Sequence, residues 1–251
     1  MEKMIHIAAQ YLAAAGISFL DKKDDDSHTN LGFNAQKGQL ETWPLNGKGC
    51  KIALDYTQFA IHLVTDNTIG LTLSLHGKTH GEMLKLMEKL TTALGTTKKY
   101  NYNLHYELPY GKITNDFTFI KPSKEDLDKW LTYRRIAQYA MENIIKAMKL
   151  KTTIRVWPHH FDTGGYETIN SSKNIAVGFG MAIPDAVVND FYLYAAGYRD
   201  SEGINTSEFD LLTNGTWMNS GFKGAVLPMK KVDEAKAITF FNESIDRYKR
   251  L

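Results

Sequence analysis

Cysteine is almost absent: Cys50 is the only one in 251 residues. No intramolecular disulfide can staple the fold, and a reducing cytoplasm is the simpler compartment. A dominant charge is also missing, because 30 Lys and Arg stand against 28 Asp and Glu for a formal charge of +2. That near-balance demands no polyanionic partner, and the aromatic strands carry too few basic residues for nucleic-acid stacking. No stretch approaches the roughly 18 to 20 uninterrupted apolar residues of a membrane span.

Cofactor and nucleophile signatures are missing too. There is no His-Glu-x-x-His, Cys-x-x-Cys or Gly-x-Ser-x-Gly. His76-Gly77-Lys78-Thr79 sits between strand-like and helical segments, but Thr72 stands where a phosphate loop needs its first glycine. Gly178-Phe179-Gly180 lacks the third glycine of a dinucleotide fingerprint and reads as a strand with close backbone packing. The Asp24-Asp25-Asp26 run lacks the glycine and distal glutamate of a calcium loop.

What is present is ordinary for a globular chain: 43% hydrophobic and 23% charged residues, which excludes disorder, collagen and coiled coil as readings of the whole chain. Ile5, Ala8, Leu12 and Ala15 recur at helical spacing, so residues 1–20 read as an amphipathic helix in preference to a cleaved signal. Gln39–Leu45, Cys50–Val64 and Thr68–Leu75 alternate apolar and polar positions, with Asp66-Asn67 as a turn. From Thr79 the period becomes helical, with Thr79 and Glu82 as a capping box and Gly95 as the stop. Tyr102, Leu104, Tyr106 and Leu108 alternate with Asn103, His105 and Glu107, which predicts another strand.

Ser123 opens the longest helix, to about Leu150, with Asp126 as its capping partner. Strands are predicted at Thr153–Trp157, Ile175–Ile183, Phe191–Tyr198 and Gly221–Leu227, then a helix at Asp233–Arg250. The fold class is therefore α+β: mainly antiparallel sheets packed against three or four helices. The chain reads as one compact domain, 1–251. Two related halves, 1–120 and 121–251, each with a helix, a Trp-Pro strand, further strands and a closing helix, are the alternative to a coincidence of ordinary alternation.

The sharpest local string is Trp157-Pro158-His159-His160-Phe161-Asp162, ahead of Gly164-Gly165-Tyr166-Glu167. His159, His160 and Asp162 could ligate a divalent transition metal, with His105, Glu107, Glu167 or Asp185 completing the shell. Adjacent strand residues point to opposite faces, so the histidines converge only if the backbone bends. The rival readings are a structural role for Asp162 and a metal-free polar pocket. That pocket would be lined by Trp157, His159, His160, Asp162, Tyr166, Tyr192, Tyr194 and Arg199, and would take an apolar or aromatic small molecule.

Trp-Pro-His-His-Phe-Asp, the Val177-Gly178-Phe179-Gly180 strand, Asp190-Phe191-Tyr192-Leu193-Tyr194 and the long helix before them resemble a bacterial family called domain of unknown function 5996. The strand pair Cys50–Val64 and the strand, turn and helix of Leu73–Leu94 follow the order of that family, so the resemblance spans about Gly38 to the C-terminus. It implies a bacterial intracellular protein. It supplies no activity, cofactor or catalytic residue to carry over, and it favours Asp162 as a structural residue.

Three functions follow as expectations. The first is a small-molecule-binding protein with its pocket near residues 157–167, with no nucleic-acid or membrane partner. The second is a metal-dependent hydrolase with Glu167 or Glu107 as base. The third is a homo-oligomeric interaction module using an exposed aromatic face.

Overall fold

A computed structural model describes residues 2–251, which fold into four α-helices and two antiparallel sheets, an α+β architecture. The chain divides into two compact units, Met1–Leu131 with Val156–Phe161, and Thr132–Arg155 with Asp162–Leu251. Among the described residues, no helix is long and apolar enough to cross a membrane.

In the first unit, β1 (Gly32–Asn34), β2 (Gln39–Glu41), β3 (Lys51–Asp55), β4 (Ala60–Thr65) and β5 (Thr68–Ser74) form a meander in sequence order. The predicted Asp66-Asn67 turn joins β4 to β5, with φ of 49° and 61°. These left-handed values match the twist of a two-residue hairpin, and Asn and Asp tolerate them best after glycine. The long Cys50–Val64 alternation resolves into β3 and β4 around a tight turn.

Helix α1 (Glu2–Phe19) packs against β3. It is not amphipathic as expected. Ile5, His6, Ala9, Gln10, Leu12 and Ala13 all have 0% exposure, so every side of it is covered. His6 and Gln10, which interrupt the apolar run, are buried hydrogen-bonding residues and leave the helix no polar outer face. Gly16 lets a loop approach, since a Cβ there would lie 2.5 Å from the His28 carbonyl oxygen.

Helix α2 (His80–Thr91) has the predicted capping box, Glu82 N donating to Thr79 Oγ1 at 3.2 Å and Thr79 N to Glu82 Oε2 at 2.8 Å. A short 3-10 turn, Thr92–Leu94, ends at Gly95 with φ 66°, as the glycine predicts.

The segment 102–108 corrects the predicted strand, for it pairs with no other strand. Its alternation is nonetheless real: Tyr102, Leu104, Tyr106 and Leu108 are half-buried, while Asn103, His105 and Glu107 are exposed. The period of two comes from an extended strap lying along α1. Asn101 N donates to Ser18 Oγ at 2.9 Å, Tyr106 OH to Gln10 Oε1 at 2.7 Å, and Tyr110 OH meets His6 Nδ1 at 3.0 Å. The strap therefore runs antiparallel to the helix. A helix spends its amides internally, so only side chains and carbonyls can bind the strap.

Helix α3 (Lys124–Met148) begins, as predicted, at Ser123, whose Oγ accepts from Asp126 N at 3.1 Å. The second sheet comprises β6 (Arg155–Val156), β7 (Thr163–Asn170), β8 (Ile175–Ala182), β9 (Tyr192–Arg199), β10 (Glu202–Gly203), β11 (Thr216–Met218) and β12 (Gly224–Pro228). Its order is β11-β12-β9-β8-β7-β6, with β10 on β9. The predicted strands at 175–183 and 191–198 are nearly whole, whereas 153–157 shrinks to β6. Trp43-Pro44 lies outside any strand.

Helix α4 (Glu234–Lys249), N-capped by Asp233, packs against β8 and β9. Phe179 and Phe241 meet at 5.8 Å, and a Cβ at Gly197 would lie 2.2 Å from the Tyr248 ring. Gly164-Gly165 lies inside β7, with Gly164 opposite Gly180 and Gly165 opposite Phe179. A Cβ at Gly180 would lie 1.9 Å from the Thr163 carbonyl oxygen, so the close backbone packing expected of this strand is present.

Candidate functional site

The Trp157–Asp162 string is a turn rather than a strand end. Phe161 N donates to the Trp157 carbonyl at 2.7 Å, and Phe161 sits in the left-handed region at φ 61°. That conformation costs roughly 1–2 kcal/mol for a residue with a Cβ. Complete burial of the ring, stacked on His6 at 4.6 Å and edge-on to Trp130 at 5.5 Å, offsets it. The bend places the His159 and His160 rings 4.4 Å apart, with Trp157 6.2 Å from His159.

Two donors alone do not make a metal centre. Among the described residues, no three His, Cys, Asp or Glu side chains gather so as to hold an ion. The residues offered to complete a shell have other partners: His105 Nε2 lies 3.2 Å from Asp26 Oδ2, Glu167 accepts from Lys151 N at 3.0 Å, and Asp185 accepts from Val187 N and Tyr192 OH, both at 2.8 Å.

The eight aromatic and polar candidates are shared between the two units. Trp157, His159 and His160 belong to the first unit, and Asp162, Tyr166, Tyr192, Tyr194 and Arg199 to the second. In the second unit, Tyr194 OH donates to Asp162 Oδ2 at 2.7 Å. Burial raises the Tyr194 pKa well above its ordinary value, and the Asp162 carboxylate adds to the shift. Gly164 makes room for this pair, since a Cβ there would lie 2.7 Å from the Tyr194 hydroxyl. Tyr166 and Tyr198 rings lie 6.0 Å apart at the surface, and Arg199 is exposed at the opposite end of β9 from Tyr192.

A concavity lies in the first unit, along the strap. A cleft of about 420 Å³ is lined by Tyr102, Leu104, Tyr106 and Leu108, and by Gly111 and Ile113 where the chain turns back. Glu107 and Lys112 bring one charge of each sign to it. Tyr106 also faces His159, with ring centroids 5.7 Å apart. The expected aromatic and histidine segment therefore touches this cleft through one shared ring.

Buried amide and imidazole groups of α1 hold the cleft wall. Gln10 Nε2 donates to the carbonyls of His6 and Pro158, both at 2.9 Å, and its Oε1 accepts from Tyr106. His6 Nε2 lies 2.7 Å from the Pro158 carbonyl and must carry the proton there, so Nδ1 accepts from Tyr110 OH. Burial, with the Glu2 carboxylate as a second cause, pushes the Tyr110 hydroxyl up to about 12. Burial raises Tyr102 and Tyr106 as well. All three stay neutral hydrogen-bonding groups near pH 7.

A second depression of about 480 Å³ runs past Thr91, Thr92 and Thr96–Tyr100. It lies at the C-terminal end of α2, where carbonyls disfavour anions, and Lys98 is engaged with the Phe19 carbonyl at 3.0 Å.

Sequence reasoning missed Tyr102, Tyr106, Lys112 and Ile113 as a wall. The signal was there in the 102–108 alternation and in two polar residues, His6 and Gln10, inside an apolar helix. In comparisons with protein-family models, curated proteins and solved structures, the chain matches none of them.

Proposed function

We propose that the protein binds a small, largely apolar molecule with a planar portion in the cleft between Tyr102 and Ile113. The observation that carries this reading is the cleft wall itself. Its volume lies within the roughly 300–1,000 Å³ typical of ligand sites, and aromatic and aliphatic side chains dominate its lining. Tyr106 is held by a buried glutamine whose two Nε2 hydrogens are both engaged by backbone carbonyls. A wall fixed in this way loses little side-chain entropy when a ligand docks. Glu107 and Lys112 can orient a polar substituent at the rim.

Anilinonaphthalene sulfonate is a suitable first probe, being planar, apolar and anionic. Saturable fluorescence enhancement by the folded protein is expected, at least tenfold weaker in both Ile113→Asp and Lys112→Glu. Both positions are exposed or half-exposed, so the variants keep the fold. Unchanged binding in both variants would remove the cleft from consideration.

A further inference from the structure

The first sheet brings three residues of a different chemistry together. Thr72 on β5 lies directly opposite His62 on β4, and Asp55 on β3 is the diagonal neighbour of His62 on the same face. His62 is 1% exposed and Asp55 5%, whereas Thr72 is open to solvent. His62 Nδ1 lies 2.9 Å from Thr72 Oγ1, and His62 Nε2 makes no hydrogen bond but points to Asp55 Oδ2 at 4.0 Å. Asp55 is held from two sides, by Gln39 Nε2 at 2.8 Å and Gln58 N at 2.7 Å.

We propose that Thr72, His62 and Asp55 form a nucleophile, a base and an orienting carboxylate that transfer the acyl group of small uncharged esters to the Thr72 hydroxyl and then to water. The tautomer follows from the carboxylate. A proton on Nε2 faces Asp55 favourably, which leaves Nδ1 as the acceptor of the Thr72 hydroxyl proton. Desolvation holds the His62 pKa below its ordinary value, against an opposing pull from Asp55, so the ring is a neutral base near pH 7.

In the first step Thr72 Oγ1 bonds to the acyl carbon as its proton passes to His62 Nδ1. The carbonyl electron pair moves to oxygen and returns as the bond to the alcohol breaks, and the alcohol leaves with the proton from His62. Water then repeats the sequence on the acyl-threonine: His62 takes its proton and returns it to Thr72 as the acid departs. β5 is the last strand of the sheet. Alternate N–H groups on its outer side can therefore meet the developing oxyanion.

The bulge opposite Leu63 and Val64 supplies selectivity. It pairs Ile69 with Val64, the residue two past His62 on the same face. Ile69, 44% exposed, thereby joins Thr72 on one side of the strand, where an apolar acyl chain can lie. This site is independent of the cleft at Tyr102–Ile113.

The test uses the full chain with p-nitrophenyl acetate and p-nitrophenyl butyrate. We expect p-nitrophenol release, with the butyrate favoured, and one acyl group per chain mapped by peptide mass spectrometry to Thr72. Thr72→Val removes both signals while the melting temperature stays within a few degrees, because the side chain is exposed. Thr72→Ser restores them. His62→Gln lowers the rate about 100-fold or more, the usual effect of losing a general base. Asp55 is a positioning residue, and in Asp55→Asn the rate falls and its acid limb moves to lower pH as the pull on His62 is lost. Acylation only at lysines, or ester turnover equal in wild type and Thr72→Val, overturns the assignment.

Discussion

Removing the Asp162 carboxylate leaves the Tyr194 hydroxyl without the acceptor it meets at 2.7 Å. Gly164 has no side chain to close the gap, since its missing Cβ is what admits the pair. A hydrogen bond to a charged acceptor contributes roughly 1.5–3 kcal/mol, and the half-burial of both residues places this one near the lower end, about 1.5 kcal/mol. The coupling is read from a double-mutant cycle of wild type, Asp162→Ala, Tyr194→Phe and the double variant by chemical unfolding. Each single variant should lose at least the coupling energy, and the double variant should lose less than their sum by about 1.5 kcal/mol. In thermal unfolding that corresponds to roughly 3–6 °C for a chain near this size. Additivity within about 0.5 kcal/mol would refute the reasoning and make the contact incidental.

Two further outcomes test the fold. Gly180→Ala sets a Cβ 1.9 Å from the Thr163 carbonyl oxygen and 2.8 Å from Gly164 Cα, both backbone atoms that cannot swing aside. Calorimetry should show a loss at or beyond the top of the roughly 1–3 kcal/mol usual for overpacking, and a near-neutral variant would show that β7 yields. Burial lowers the pKa of His62 and of His80 from the ordinary 6.5. Above 6.5 both are neutral whether the chain is folded or not. As pH falls through that value towards their folded pKa values, the unfolded chain takes up the protons first. Stability should therefore drop on the acid side, by up to about 1.4 kcal/mol per pH unit for each residue. His62→Gln should flatten the slope; equal slopes in wild type and variant would show that His62 does not contribute.

The α+β class is legible in the chain because period and punctuation are local. The Thr79 capping box, the Ser123 start and the Asp66-Asn67 turn each depend on residues a few positions apart. So did the alternation of 102–108, although its partner did not: a period of two shows that one side is covered, not whether a strand or a helix covers it. Tertiary packing covers α1 on every side and makes His6 and Gln10, which interrupt its apolar run, the anchors of a strap some hundred positions away. It also bends the Trp157–Asp162 segment into a turn, with Phe161 in the left-handed region. Finally, Thr72, His62 and Asp55 are unremarkable in the sequence, each on its own alternating strand. Strand register, a property of pairing between segments, is what aligns them on one face.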